Sequence, residues 1–246
     1  MTALTAVIIT YNEAHNIGRC LNSLKGVADE IVVFDSNSTD NTREICESYG
    51  ATVVKVQWRG YAKTKNEANA YAQHNYILWL DADEALSDKL SASILKEKEN
   101  LSGIYSANRR NNYCGKWLSH GAYYPDKKWR LFPKDQVQWQ GDFVHETLEI
   151  SERLQQQHLQ GDVLHYSYYT TAEHKARSKK YAALAATKLA QKNKFELILK
   201  LCFSPAIRFI KNYFFRLGFL DGWLGFQVNA ITAYEVFLKY KMALQG

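Results

Sequence analysis

Two carboxylates one residue apart, Asp81 and Asp83, follow the apolar run Tyr76-Ile77-Leu78-Trp79-Leu80. A short apolar run of this kind reads as a buried strand, so the acidic pair stands where a strand ends. In open α/β sheets, ligands bind at the carboxyl ends of the strands. Carboxylate oxygens are hard donors that suit Mg²⁺ or Mn²⁺, and such ions commonly bridge to substrate phosphates. The chemistry indicated is metal-assisted handling of a phosphorylated donor. The competing reading is a solvated acidic turn.

Three further constellations stand in the first half of the chain. Thr10-Tyr11-Asn12-Glu13 closes the strand Ala6-Val7-Ile8-Ile9-Thr10. There Tyr11 can stack on a base and Glu13 can hold a hydroxyl, or Asn12 and Glu13 simply start a helix. Asp35-Ser36-Asn37-Ser38-Thr39-Asp40 ends the next strand. Its first carboxylate can accept a pyrimidine ring N–H, its short polar residues suit a tight turn, and Asp40 suits a helix cap. Lys63 and Lys65 lie near a helix start, where one can neutralise a diphosphate.

The elements that must position these residues alternate. Strands are expected at 6–10, 30–35, 52–57 and 76–80, with helices at 12–25, 40–49 and 63–74 between them. This order predicts a mainly parallel, doubly wound sheet. A helix is expected over 87–100. Short strands at 104–107, 129–132, 144–150 and 163–168 then suggest a mixed extension that builds an acceptor side. From Thr170 the chain reads as helical, and Thr170-Thr171-Ala172-Glu173 fits a capping box.

At 246 residues the chain is long enough for one large α/β domain, or for a domain with an appendage. Its net charge of +6 favours anionic partners: nucleotide phosphates, nucleic acid or a membrane surface. Cys20, Cys46, Cys114 and Cys202 are scattered without C-x-x-C spacing, which argues against a disulfide framework or a zinc site and fits a reducing cytosol. No signal peptide is expected, because Met1 runs directly into a strand. No uncharged apolar run is long enough to expect a transmembrane helix. Residues 195–244 are dense in Phe, Leu, Ile and Tyr, with Lys200, Arg208, Lys211, Arg216, Lys239 and Lys241 interspersed. That composition suits an interfacial helix at an anionic membrane. The alternative is a helical subdomain or a homodimer interface.

Four segments in register, Val7-Ile8-Ile9-Thr10-Tyr11-Asn12-Glu13, Val33-Phe34-Asp35-Ser36-Asn37-Ser38-Thr39-Asp40, Lys65-Asn66-Glu67-Ala68 and Leu80-Asp81-Ala82-Asp83-Glu84, resemble the family 2 glycosyltransferases. Further along, Trp139-Gln140-Gly141-Asp142-Phe143-Val144-His145-Glu146, His165-Tyr166-Ser167-Tyr168 and Gly218-Phe219-Leu220-Asp221-Gly222 are similar to lipopolysaccharide inner-core β-1,4-glucosyltransferases. The resemblance implies a GT-A fold: an α/β, Rossmann-like, mainly parallel sheet with a mixed acceptor-side extension and a C-terminal helical segment. Residues 1–168 would form the transferase domain, with 1–100 the nucleotide-sugar half and 101–168 the acceptor half. Residues 169–246 would be the helical, membrane-associating region. Asn37 stands where many relatives have Gly; Asn tolerates a left-handed turn, so the loop is expected to survive.

By the same resemblance, Asp35 recognises the base with Thr10, Tyr11 and Glu13 beside it. Lys65 lies near the donor phosphates, Asp81 holds the ribose or the metal, and Asp83 binds the metal. An inverting transfer also needs a base for the acceptor hydroxyl. Glu146 is expected in that role because it lies in the acceptor region, with Asp142 as runner-up. His145 and His165 compete for a second role; His165 is taken as a metal ligand against a structural histidine, and His145 as an acceptor contact. Arg109 and Arg130 are expected to hold phosphate or Kdo carboxylates on the acceptor.

The expected protein is therefore a cytoplasmic enzyme, peripheral on the inner face of the cell membrane. It would use Mg²⁺ or Mn²⁺ and transfer a hexose from a nucleotide-sugar donor to a lipid-linked saccharide. UDP-glucose as donor and an inner-core heptose as acceptor are the finer expectations, with another nucleotide sugar as the alternative. A sugar-phosphate nucleotidyltransferase would show an early glycine-rich basic signature, where this chain has Thr10-Tyr11-Asn12-Glu13. A nucleic-acid partner is not expected, because acidic residues gather at the strand ends. A non-catalytic glycan-binding relative is disfavoured by the intact Asp81-Ala82-Asp83.

Overall fold

A computed structural model describes residues 1–141, 147–189 and 191–245. The first elements alternate: β1 (Leu4–Thr10), α1 (Ile17–Ser23), β2 (Glu30–Asp35), α2 (Thr42–Ser48), β3 (Thr52–Lys55), α3 (Tyr61–Tyr71) and β4 (Tyr76–Asp81). Next come β5 (Glu84–Leu86), α4 (Asp88–Glu97), β6 (Ile104–Tyr113), β7 (Lys116–Trp117), β8 (Asp126–Pro133), β9 (Val137–Gln140), β10 (Thr147–Ile150) and β11 (Gln156–Tyr168). Three helices follow: α5 (Thr171–Leu189), α6 (Lys194–Ile210) and α7 (Gly222–Gln245).

The main sheet runs β3-β2-β1-β4-β8-β6-β11-β5, with β7 paired to β6. β3, β2, β1 and β4 are mutually parallel. β8 then pairs antiparallel with β4, and β5 antiparallel with β11. This is the parallel half and mixed extension expected from the sequence.

β1 is buried along its whole length, so both faces of the sheet are covered there. Leu4, Ala6 and Ile8 pack with Ile17 and Leu21 of α1, Cys46 of α2, and Leu90 and Ile94 of α4. Val7 and Ile9 point the other way, toward Ala68 of α3, Trp79 and Phe132. The period-two alternation of a strand thus feeds two cores at once.

Local departures from the sequence reading have local causes. α1 begins at Ile17 rather than Asn12, because Asn12 turns left-handed at φ 54° and its N–H donates to Ser38 Oγ at 2.8 Å. Asn37 is also left-handed, at φ 62°, as anticipated. Ser87 caps α4 by accepting the Leu90 N–H. At the start of α5, Glu173 N–H donates to Thr170 Oγ1 at 3.1 Å, but the Glu173 carboxylate accepts the N–H of Tyr169 rather than that of Thr170.

The chain forms two compact units. One comprises residues 1–109 and 127–165, the other 110–126 and 166–246. The second is more than the C-terminal helices, because residues 110–126 belong to it. The reason is a set of long-range bonds. Asp221 accepts the Ser119 and His120 N–H groups, the Gly121 N–H reaches the Arg216 carbonyl, and Tyr123 bonds Thr232 at 2.8 Å. Tyr113 and Leu118 share a small core with Val228. Gly218 and Gly225 permit the tight packing of this knot, since a Cβ on Gly225 would fall 2.1 Å from the Gly218 carbonyl oxygen.

Two predictions follow from packing. Gly161 sits within β11 at φ 100°, and a Cβ there would lie 2.4 Å from the Leu90 backbone nitrogen. Gly161→Ala should therefore destabilise the protein by roughly 2–4 kcal/mol in urea unfolding. His174 is buried, shares a 3.0 Å hydrogen bond with Tyr113, and has its pKa pushed down to about 4 by burial and then by Arg177. The unfolded chain takes up this proton first, near pH 6.5. Stability from neutral His174 is thus complete above that pH and falls toward pH 4, by up to about 3 kcal/mol. Wild type should lose more stability than His174→Gln across that window, read as the difference in urea midpoints.

Candidate active site

The strand ends bring the expected donor residues into line. Thr10 pairs in register with Asp35, and Ile9 with Asp81, so β1, β2 and β4 end together. The loops beyond β1 and β2 interlock. Asn12 Oδ1 accepts the Thr39 N–H at 2.8 Å, Glu13 N–H donates to Thr42 Oγ1 at 2.8 Å, and Ala14 N–H donates to Asp40 Oδ2 at 3.1 Å. Asp40 also accepts the Thr42 N–H, so it steadies the start of α2 although Asn41 holds the cap position.

Asp35 is fully buried. Its Oδ2 accepts the Ser38 N–H at 3.0 Å and lies 3.8 Å from Arg43 Nε. Its Oδ1 is buried with no hydrogen-bond partner among the described residues, and so is Thr10 Oγ1 on the adjacent strand. Buried polar atoms left unpaired are costly, and a bound N–H or hydroxyl would satisfy them. Tyr11 is 59% exposed beside them. Glu13 accepts the Asn16 side-chain N–H at 2.8 Å.

Lys65 is only 5% exposed. Its ammonium lies 4.2 Å from the Trp139 ring centroid and 5.2 Å from that of Trp79. The neighbouring Asn66 clips β9 through two bonds: Asn66 Nδ2 donates to the Trp139 carbonyl, and Trp139 N–H donates to Asn66 Oδ1. Burial works to raise the Asp81 pKa, but Lys65, then Arg130 and Arg109, hold it below the ordinary carboxylate value. Asp81 therefore remains an anion.

Asp83 and His165 meet. Asp83 Oδ2 and His165 Nε2 are 3.2 Å apart, with side chains 19% and 13% exposed. β5 and β11 arrange this, since His165 stands opposite Glu84 in their antiparallel register. Two neighbouring ligands on an octahedral ion at about 2.1 Å lie about 3 Å apart, so this oxygen and nitrogen fit one small divalent ion. No group of three or more His, Cys, Asp or Glu among the described residues forms a complete cage. Mg²⁺ sites typically use one or two carboxylates and leave the rest to phosphates and water.

Glu84 is the residue that sequence reasoning passed over. It is fully buried, its Oε2 accepts the Asp81 N–H at 3.0 Å, and its Oε1 takes Arg130 Nη2 at 2.5 Å, with Arg109 Nη1 at 3.8 Å. Burial lifts its pKa, and Arg130 opposes that shift. Its sequence signals were its place at the end of Leu80-Asp81-Ala82-Asp83-Glu84 and the apolar Ala85-Leu86 directly after it. Arg130, expected at the acceptor, is instead buried at 4% and paired with Glu84, so its guanidinium faces inward. Arg109 keeps 25% side-chain exposure. Asp142, His145 and Glu146 lie outside the described residues.

A parallel half-sheet with an acidic turn at its carboxyl edge, continued by antiparallel strands, is an α/β architecture of GT-A type. The family model described as glycosyl transferase family 2 matches residues 5–153, and the chain belongs to that family. An uncharacterized glycosyltransferase of Rickettsia bellii is 28% identical over 254 residues, covering 96% of this chain and 84% of the relative. The lipopolysaccharide core biosynthesis glycosyltransferase LpsC of Rhizobium meliloti is 27% identical over 260 residues, covering 97% and 93%. Among solved structures, glucosyl-3-phosphoglycerate synthase from Mycobacterium tuberculosis, with Mn²⁺, UDP and glucosyl-3-phosphoglycerate, aligns at a TM-score of 0.38 and 20% identity. That alignment covers 45% of this chain and 44% of the synthase.

Removing Glu84 should test the buried pair directly. Glu84→Ala leaves Arg130 as an uncompensated buried charge and should cost about 3–5 kcal/mol in urea unfolding. Adding Arg130→Met to Glu84→Ala should restore much of that loss.

Proposed function

We propose that this glycosyltransferase is an inverting hexosyltransferase that moves glucose from UDP-glucose to a heptose of the lipopolysaccharide inner core, at the inner face of the cell membrane. The observation that carries the donor half is the convergence of Asp81, Asp83 and His165 with the unpaired Thr10 Oγ1 and Asp35 Oδ1 at one sheet edge. The acceptor half is supported by similarity to LpsC along nearly the whole chain.

In this reading Asp35 and Thr10 take the polar edge of the base, and Tyr11 covers its face. Glu13 and Asp81 serve the ribose, and Lys65 balances charge near the diphosphate. Asp83 and His165 would hold Mg²⁺ or Mn²⁺, which supplies Lewis-acid stabilisation of the charge that builds on the leaving diphosphate. Arg109, partly exposed beside Glu84, faces acidic groups of the acceptor, while Arg130 positions Glu84. Glu146, or Asp142 in its place, takes the proton from the acceptor hydroxyl as that oxygen attacks the sugar C1. The new C–O bond forms as the bond from C1 to the diphosphate oxygen breaks on the opposite face, so configuration inverts in a single displacement.

Calorimetry with UDP, UDP-glucose, UDP-galactose, UDP-GlcNAc and GDP-mannose, with and without Mn²⁺, tests the donor. UDP-glucose should bind in a metal-dependent way, and Asp83→Ala should weaken that binding about a hundredfold or more. Metal-dependent binding of another sugar nucleotide instead would reassign the donor. Folded protein that binds none would leave the glycan-binding reading.

A further inference from the structure

The second unit turns a large apolar face outward. Phe203, Ile207, Ile210 and Phe214 follow one another at helical spacing, and all are exposed. Phe215 and Trp223 extend the face, at 81% and 69% exposure. Leu197 is the one fully buried residue of α6. Phe214 and Phe215 lie in a π-helical turn, Lys211–Phe215, a rare geometry that is frequent at functional sites. Leu217 beyond it is left-handed at φ 59°, an uncommon state for a branched side chain. Contiguous apolar patches of this extent mark interaction surfaces.

Charge selects the occupant. Lys194, Arg208, Lys211 and Arg216 are exposed along the same stretch. Its two acids are engaged, Glu196 with Lys200 and Asp221 with His120. A two-fold dimer through this face would bring two copies of the same positively charged patch together. Anionic lipid headgroups attract them instead. No helix among the described residues is long and apolar enough to cross a membrane, so contact would be in the plane of the surface.

We propose that the outer face of α6 and the turn into α7 dock on an anionic phospholipid surface, with Phe215 and Trp223 entering the acyl boundary and Arg208 and Lys211 meeting headgroups. The inference rests on the functional reading above only for the nature of the acceptor it would bring within reach.

Flotation of the full chain with vesicles tests it, using phosphatidylcholine alone and equimolar phosphatidylcholine and phosphatidylglycerol. Wild type should float with the anionic vesicles and stay behind with the neutral ones. Phe215→Ser with Trp223→Ser should bind at least about tenfold more weakly. Arg208→Gln with Lys211→Gln should lose the preference for phosphatidylglycerol. The proposal is overturned if folded wild type floats with neither vesicle, or if the apolar variant floats as well as wild type. It is also overturned if wild type sediments as a dimer that the apolar variant converts to monomer, which would assign the face to a second copy. UDP-glucose calorimetry on the same preparations separates the two readings: intact donor binding without flotation removes only the docking surface, and flotation without donor binding removes only the proposed donor.

Discussion

Glu84 is an anion placed where water does not reach, at the point where the parallel half of the sheet passes into the mixed half. Such a charge persists only if its partners are close and well aimed. Arg130 supplies the countercharge from β8, and the Asp81 N–H supplies a donor from the end of β4. β5 can then run antiparallel to β11 and set His165 beside Asp83. One carboxylate thereby ties the neighbouring strands β4 and β5 to β8, more than forty residues further on. Asp83 directly precedes Glu84 in the chain, so anchoring Glu84 also fixes where Asp83 meets His165.

The acidic residues of the first unit divide by environment. Asp35 is sealed inside and spends one oxygen on the Ser38 turn, while the other has no hydrogen-bond partner among the described residues. Asp81 is held ionised by surrounding cations, first among them Lys65. Asp83 retains partial access to solvent beside an imidazole. A single residue type thus presents a buried acceptor, a shielded anion and a partly solvent-open carboxylate along one sheet edge. The interlocked loops after β1 and β2 keep these in place, because Asn12, Ser38, Thr39 and Thr42 also bond across the two loops.

The alignment of these residues at the strand ends was legible because its signals are local. Apolar runs of strand length end at Thr10, Asp35 and Asp81, and strand ends are where α/β sheets present function. β5 was not legible, since three residues carry no periodicity. Nor was Glu84, whose burial makes sense only once Arg130 arrives from a distant strand. Arg130 was misplaced for the same reason: from sequence, an arginine in an acceptor region looks like a ligand contact. Helix starts failed where side chains turned the backbone, as Asn12 does before α1. The boundary drawn at residue 168 could not anticipate residues 110–126, because their partners lie about a hundred positions later.

The interleaving of the two units bears on how the polypeptide emerges from the ribosome. The loop carrying Ser119 and His120 is made early, but Asp221, which accepts its amide protons, lies 102 residues beyond Ser119. Until the second turn of the last helix is made, Tyr113 and Leu118 have no Val228 to pack against. The first unit can close around its sheet in the meantime, with this loop extruded as an unpaired excursion. Nascent-chain folding would then close this knot late, residues made about a hundred positions later returning to capture the earlier loop.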